Sequence, residues 1–65
     1  MTFVRHKDIG ILPYPGELRA AGWSADFALI EDDGMRQYYG VNVYSTREEA
    51  MRASLDSARR IIDDD

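Results

Sequence analysis

Two alternating stretches face one another across an acidic glycine turn between Trp23 and Tyr44, and a β-hairpin is the local structure that satisfies both. The first arm, Trp23-Ser24-Ala25-Asp26-Phe27-Ala28-Leu29, places its larger apolar residues at every second position, the period of a half-buried strand. The second, Gln37-Tyr38-Tyr39-Gly40-Val41-Asn42-Val43-Tyr44, is rich in β-branched and aromatic types and alternates in the same way. Glu31-Asp32-Asp33-Gly34-Met35 lies between them and supplies a glycine, which takes positive φ without steric cost.

The buried face sets the register. If Trp23, Ala25, Phe27 and Leu29 share that face, their partners should be Tyr39, Val41 and Val43. A two-residue loop at Asp33-Gly34 sets Phe27 against Gly40 and Leu29 against Tyr38, and a one-residue slip turns every side chain to the other face. A three-residue loop, Asp32-Asp33-Gly34, pairs Phe27 with Tyr39, Ala25 with Val41 and Trp23 with Val43. It also puts Gly34 where a type I turn with a bulge wants a left-handed residue. The sequence favours the three-residue loop.

Upstream, an edge strand is expected over about 8–14, because Pro13 cannot donate to a ladder. Phe3 to Arg5 either extends it or forms a loose terminus. Tyr14-Pro15-Gly16-Glu17 has the signature of a type II turn, and Leu18 to Gly22 reads as a short connector. After Tyr44 the period changes to that of a helix. Ser45 and Thr46 both suit the first position of a capping box, with Glu48 or Glu49 three residues on. Met51, Leu55, Ala58 and Ile62 then form an apolar stripe, flanked by Ala50, Ser54 and Ile61. The helix should span about 46–62 and end near Asp63, where carboxylates meet the negative end of the dipole. The expected fold is α+β: a two-layer βββα arrangement, one domain over 1–65, with a three-stranded antiparallel sheet and a C-terminal helix on one face.

A chain of 65 residues leaves about 40% of its unfolded surface exposed after folding, so margins are small. With no cysteine there is neither disulfide nor thiolate chemistry. A net charge of −4 opposes nucleic-acid and anionic-membrane binding. No apolar run approaches the roughly 20 residues of a membrane span, and the first residues lack the order of a signal peptide. A cytoplasmic protein is expected.

Chemistry-bearing constellations are sparse. His6 is the single histidine, and the sequence offers it neither an orienting partner nor a cleft. Zinc would need further nitrogen or sulfur ligands. The clusters Glu31-Asp32-Asp33 and Asp63-Asp64-Asp65 lack the ligand spacing of a calcium loop. No catalytic residue, cofactor or metal is therefore expected. Strand parity places Ala28, Ile30, Arg36, Tyr38, Asn42 and Tyr44 on the sheet face away from the helix. Tyrosine and arginine are interface-enriched types, so Ile30, Arg36, Tyr38, Asn42 and Tyr44 form the candidate contact surface. The plain alternative is a mixed, wet outer face.

The run Gly22-Trp23-Ser24-Ala25-Asp26-Phe27, then Asp33-Gly34, then Tyr44-Ser45-Thr46-Arg47-Glu48-Glu49-Ala50, ending Ala58-Arg59-Arg60-Ile61-Ile62-Asp63, resembles small bacterial proteins of uncharacterised function. Their pattern is a tryptophan strand, a glycine turn and a Thr-x-x-Glu-Ala helix start. The resemblance covers about two-thirds of the chain and implies the βββα layout without an activity. The acidic Asp-Gly turn leading to Thr46–Ala50 is also similar to the N-terminal domain of HicB-type antitoxins, which implies a protein partner. The chain lacks the Pro-rich, Gly-Cys segment of those domains and has no room for their DNA-binding part. Two functional readings follow: a non-enzymatic interaction or self-associating module, and an antitoxin-like regulatory domain that binds a protein.

Overall fold

The computed structural model describes residues 4–64. Phe3 and Asp65, which the sequence reading assigns to the first strand region and to the terminal acidic cluster, lie outside them. In chain order the elements are β1 (Val4–His6), β2 (Ile9–Pro13), β3 (Gly16–Glu17), a 3-10 turn (Arg19–Ala21), β4 (Trp23–Ser24), β5 (Phe27–Glu31), β6 (Gly34–Tyr38), β7 (Val43–Tyr44) and α1 (Arg47–Asp63). The strands form two antiparallel sheets, ordered β1-β2-β5-β6 and β3-β4-β7. This replaces the expected single three-stranded sheet. The α+β class and the one C-terminal helix stand.

Three local causes produce the difference. The first is an additional hairpin. His6 faces Ile9, so Lys7 and Asp8 form a two-residue turn, and both have positive φ, 51° and 67°. That is the mirror-image turn whose twist matches its flanking strands. It normally selects Asn-Gly, and Lys7-Asp8 instead reads as a solvated break.

The second cause lies in the hairpin itself, which is present but bent. Ala25-Asp26 interrupts its first arm and Tyr39 to Asn42 its second. Phe27 faces Tyr38, whereas Trp23 faces Tyr44. The pairing therefore shifts by two residues between the halves, as an enlarged β-bulge requires. Neither half follows the expected pairing of Phe27 with Tyr39. The third cause is the turn. Glu31 faces Gly34, leaving Asp32-Asp33 as the loop. Neither aspartate has positive φ; Gly34, at 146°, absorbs the mismatch between an ordinary turn and the strand twist. The type II turn expected at 14–17 is also absent, since Gly16 opens β3 and its φ is not positive.

The faces change accordingly. Tyr39, Val41 and Val43, expected in the core, are 71%, 94% and 54% exposed. Tyr38, expected outside, is half-buried and stacks on Phe27 with ring centroids 5.0 Å apart. Trp23 is half-buried within the smaller sheet.

α1 starts with a complete capping box: Thr46 accepts from the Glu49 N–H, and the Glu49 carboxylate accepts from the Thr46 N–H. Its buried stripe is Ala50, Ser54, Ala58 and Ile62, one position round from the expected Met51 and Leu55. Small side chains let the helix lie close to the sheet, and Met51 and Leu55 flank the contact half-buried. The Ser54 hydroxyl is fully buried and donates to the Met51 carbonyl at 2.7 Å, which satisfies it. The core is Ile11, Phe27, Leu29, Ala58 and Ile62. Among the described residues no helix is long and apolar enough to cross a membrane.

Candidate interaction site

β6 is one edge strand of the four-stranded sheet and β7 one edge strand of the smaller one, and residues 39–42 join them. The stretch from Met35 to Tyr44 thus carries two free strand edges, one from each sheet, joined by the bulge at residues 39–42. Gly40 fixes its shape. The Gly40 N–H donates to Asp26 Oδ1 at 3.0 Å, and a Cβ at Gly40 would sit 2.8 Å from the Ala25 nitrogen and 2.9 Å from its oxygen. Glycine is needed here for close backbone approach.

The bulge and α1 enclose a groove of about 220 Å³. Phe27, Tyr38 and Tyr44 line it from the sheets, Ser57 and Ile61 from the helix. Tyr39, Val41 and Asn42 line it from the bulge, and none of its described lining residues is charged. The volume falls below the roughly 300–1,000 Å³ of small-molecule sites.

Of the five candidate contact residues, the structure brings Tyr38, Asn42 and Tyr44 together at this groove. Arg36 faces Leu29 across β5 and β6 and pairs with Glu31 at 2.9 Å. Ile30 faces Gly10 and Met35, and parity turns it to the other face of the sheet. The surface therefore does not assemble as a flat sheet face, because the two-residue turn reverses the parity of Arg36 and Tyr38 relative to Ile30, and the bulge displaces Asn42 and Tyr44 from that ladder. Sequence reasoning missed Val41 and Tyr39 as surface residues because an uninterrupted ladder would have buried them.

A second cluster joins the chain ends. Asp63 Oδ1 accepts from Lys7 Nζ at 2.8 Å and from His6 Nε2 at 2.9 Å, fastening the first turn to the end of α1. His6 and Asp63 are 57 positions apart in the sequence, so no local signal pairs them. The contact also explains why α1 extends through Asp63, since two donors offset a carboxylate at the negative helix end. The bonds from Lys7 first, and then from His6, hold the Asp63 carboxyl below its ordinary range. A lowered folded pKa contributes stability above the unfolded value, and that stability is lost as pH falls through the folded one. Asp63→Asn should therefore be less stable than the parent above about pH 4, with the gap closing in more acidic solution. Urea titrations of both proteins over an acidic pH series would show this. A gap undiminished at about pH 2 would mean that the carboxylate charge is not what holds the contact.

Among the described residues no three His, Cys, Asp or Glu side chains gather as a metal site. Comparison of the chain with protein-family models, curated proteins and solved structures finds no match.

Proposed function

We propose that this chain is a non-enzymatic, cytoplasmic protein-interaction module that works through the edge from Met35 to Tyr44. The observation that carries the reading is the exposure of Tyr39, Val41 and Val43 beside an uncharged groove. In a chain with 31% charged residues, this ten-residue stretch holds one charge, Arg36. Depletion of charge with enrichment in tyrosine is the compositional mark of an interface core.

Val41→Asp tests it. Val41 is 94% exposed, so stability should change by no more than about 0.5 kcal/mol. Affinity capture from the source organism should lose with the variant the proteins retained by the parent. Capture of the same set by both would remove the edge as the contact surface.

The second reading is an antitoxin-like regulatory domain for a basic partner, and the net charge of −4 supports it. Salt separates the two. A charge-steered complex weakens as ionic strength rises, whereas a contact through the uncharged edge does not.

A further inference from the structure

We infer that β6 receives an extended peptide segment of the partner as an added strand, with a lysine or arginine at the acidic turn and an apolar side chain four residues away at the groove. This rests on the reading of the Met35–Tyr44 edge as an interaction surface and names the chemistry it meets.

The backbone of β6 calls for an extended chain. A strand at the border of a sheet offers unpaired N–H and C=O groups, which another extended backbone can satisfy. Four strands border the two sheets, and β6 is the longest, with five residues against three in β1 and two each in β3 and β7. Shortness, proline, bulges and free charge are the usual safeguards of such a border. β1 is short and carries Arg5 and His6. β6 has neither proline nor an internal bulge, and its one charge, Arg36, is paired with Glu31 at 2.9 Å. The turn also fixes which groups are free. A two-residue loop makes Glu31 and Gly34 a hydrogen-bonded pair, so Gly34, Arg36 and Tyr38 direct their backbone groups to β5. Met35 and Gln37 direct theirs outward, and both residues are exposed.

Charge selects the occupant. β6 runs from an acidic hollow to an uncharged one. Glu31, Asp33, Gly34 and Arg36 line the first, whereas Tyr38, with Phe27 and Ile61, lines the groove. At the turn the three carboxylates of Glu31, Asp32 and Asp33 stand against the single guanidinium of Arg36. Asp32 and Asp33 are exposed, and the ion pairs among the described residues leave both unmatched. A cation on the incoming strand balances them, and the net charge of −4 draws it in. A second copy of this chain would bring like charge instead. Gly34 and Tyr38 are four positions apart on one face of β6. An added strand reproduces that spacing, roughly 13 Å at ~3.3 Å per residue, with its own residues i and i+4. The cation then stands opposite Gly34, whose missing side chain leaves the hollow open, and the apolar side chain opposite Tyr38.

The test is selection of a random peptide library, displayed on phage, against the immobilised full chain. Enriched peptides should carry Lys or Arg four positions from an aromatic or aliphatic residue. On binding a synthetic copy of the best of them, the Met35 and Gln37 amides should become protected from hydrogen exchange. Methylating the alternate peptide nitrogens that face β6 should weaken binding at least about tenfold, while methylating the intervening set should leave it unchanged. Asp32→Asn with Asp33→Asn should weaken it about fivefold and erase the cation from a repeated selection. Salt should weaken it by no more than that, since the rest of the edge is uncharged.

A library that yields no peptide enriched over the bare support overturns the added strand. So do binders indifferent to which nitrogens are methylated, a selected consensus without the cation, or a dimer of the chain alone in which the Met35 and Gln37 amides are already protected. The broader reading stands or falls separately. If Val41→Asp loses captured proteins while no peptide is enriched, the edge meets a folded surface and the added strand alone is refuted.

Discussion

Leu29→Ala is expected to cost about 2–5 kcal/mol, a large share of the stability of the domain. Leu29 is fully buried on β5, faces Ile11 on one side and Arg36 on the other, and belongs to the core with Phe27 and Ile62. Removing its isobutyl tip loses the transfer free energy of those atoms and leaves a cavity. Close α1 packing on small residues limits how far the walls can collapse. A chain of 65 residues at about 0.05–0.15 kcal/mol per residue has roughly 3–10 kcal/mol in total, so one such loss is comparable to the margin. Urea unfolding followed by tryptophan fluorescence measures it. A variant within 1 kcal/mol of the parent, against the ~2–5 expected, would place the core elsewhere.

Gly40→Ala is expected to cost about 1–3 kcal/mol and to disturb the groove as well as the fold. The new Cβ would lie 2.8, 2.9 and 3.0 Å from the Ala25 nitrogen, oxygen and carbonyl carbon, and backbone atoms of a strand junction cannot swing aside as a side-chain tip can. Relief requires the bulge to move outward, which strains the bond from the Gly40 N–H to Asp26. Gly34→Ala is the useful contrast. Nothing lies within 4 Å of a Cβ there, and only its φ of 146° disfavours a side chain. Amide spectra should change across Tyr39–Asn42 for the Gly40 variant and around the Asp32-Asp33 turn for the Gly34 variant. Gly40→Ala spectra that match the parent over residues 39–42 would show that the close approach to Ala25 does not set the bulge.

What could be read from the sequence depended on the range of each interaction. The helix start was legible because the capping box is local chemistry among Thr46, Glu49 and their backbones. The hairpin arms were legible through Phe27 and Leu29, whose burial and spacing survive the bend. Register was not, because alternation implies one uninterrupted ladder and the molecule breaks it at Ala25-Asp26 and at Tyr39 to Asn42. A pairing that matched Phe27 with Tyr39 sits midway between the two registers the molecule uses. Ala58 and Ile62 of the expected stripe on α1 are buried, but its first half was off by one position because the sequence pattern weighs large residues, while close packing selected Ala50 and Ser54 over Met51 and Leu55. The first hairpin was hidden by a turn whose residues, Lys7 and Asp8, pay a conformational cost to hold positive φ. The candidate surface was legible by residue type in Tyr38, Asn42 and Tyr44, yet its shape came from the bulge.

That bulge has a consequence for the chain's tolerance of length changes. The two arms differ by two residues between their paired ends, Ala25-Asp26 on one side and Tyr39 to Asn42 on the other. Excising Val41 and Asn42 would equalise them and bring Tyr44 opposite Trp23 in the same register as Tyr38 opposite Phe27. The shortened arms could run as one regular ladder, with neither the groove nor its exposed valine. The groove and its exposed valine are thus separable from the scaffold by a two-residue deletion, and a hairpin of this kind can gain or lose such a feature without rebuilding its core.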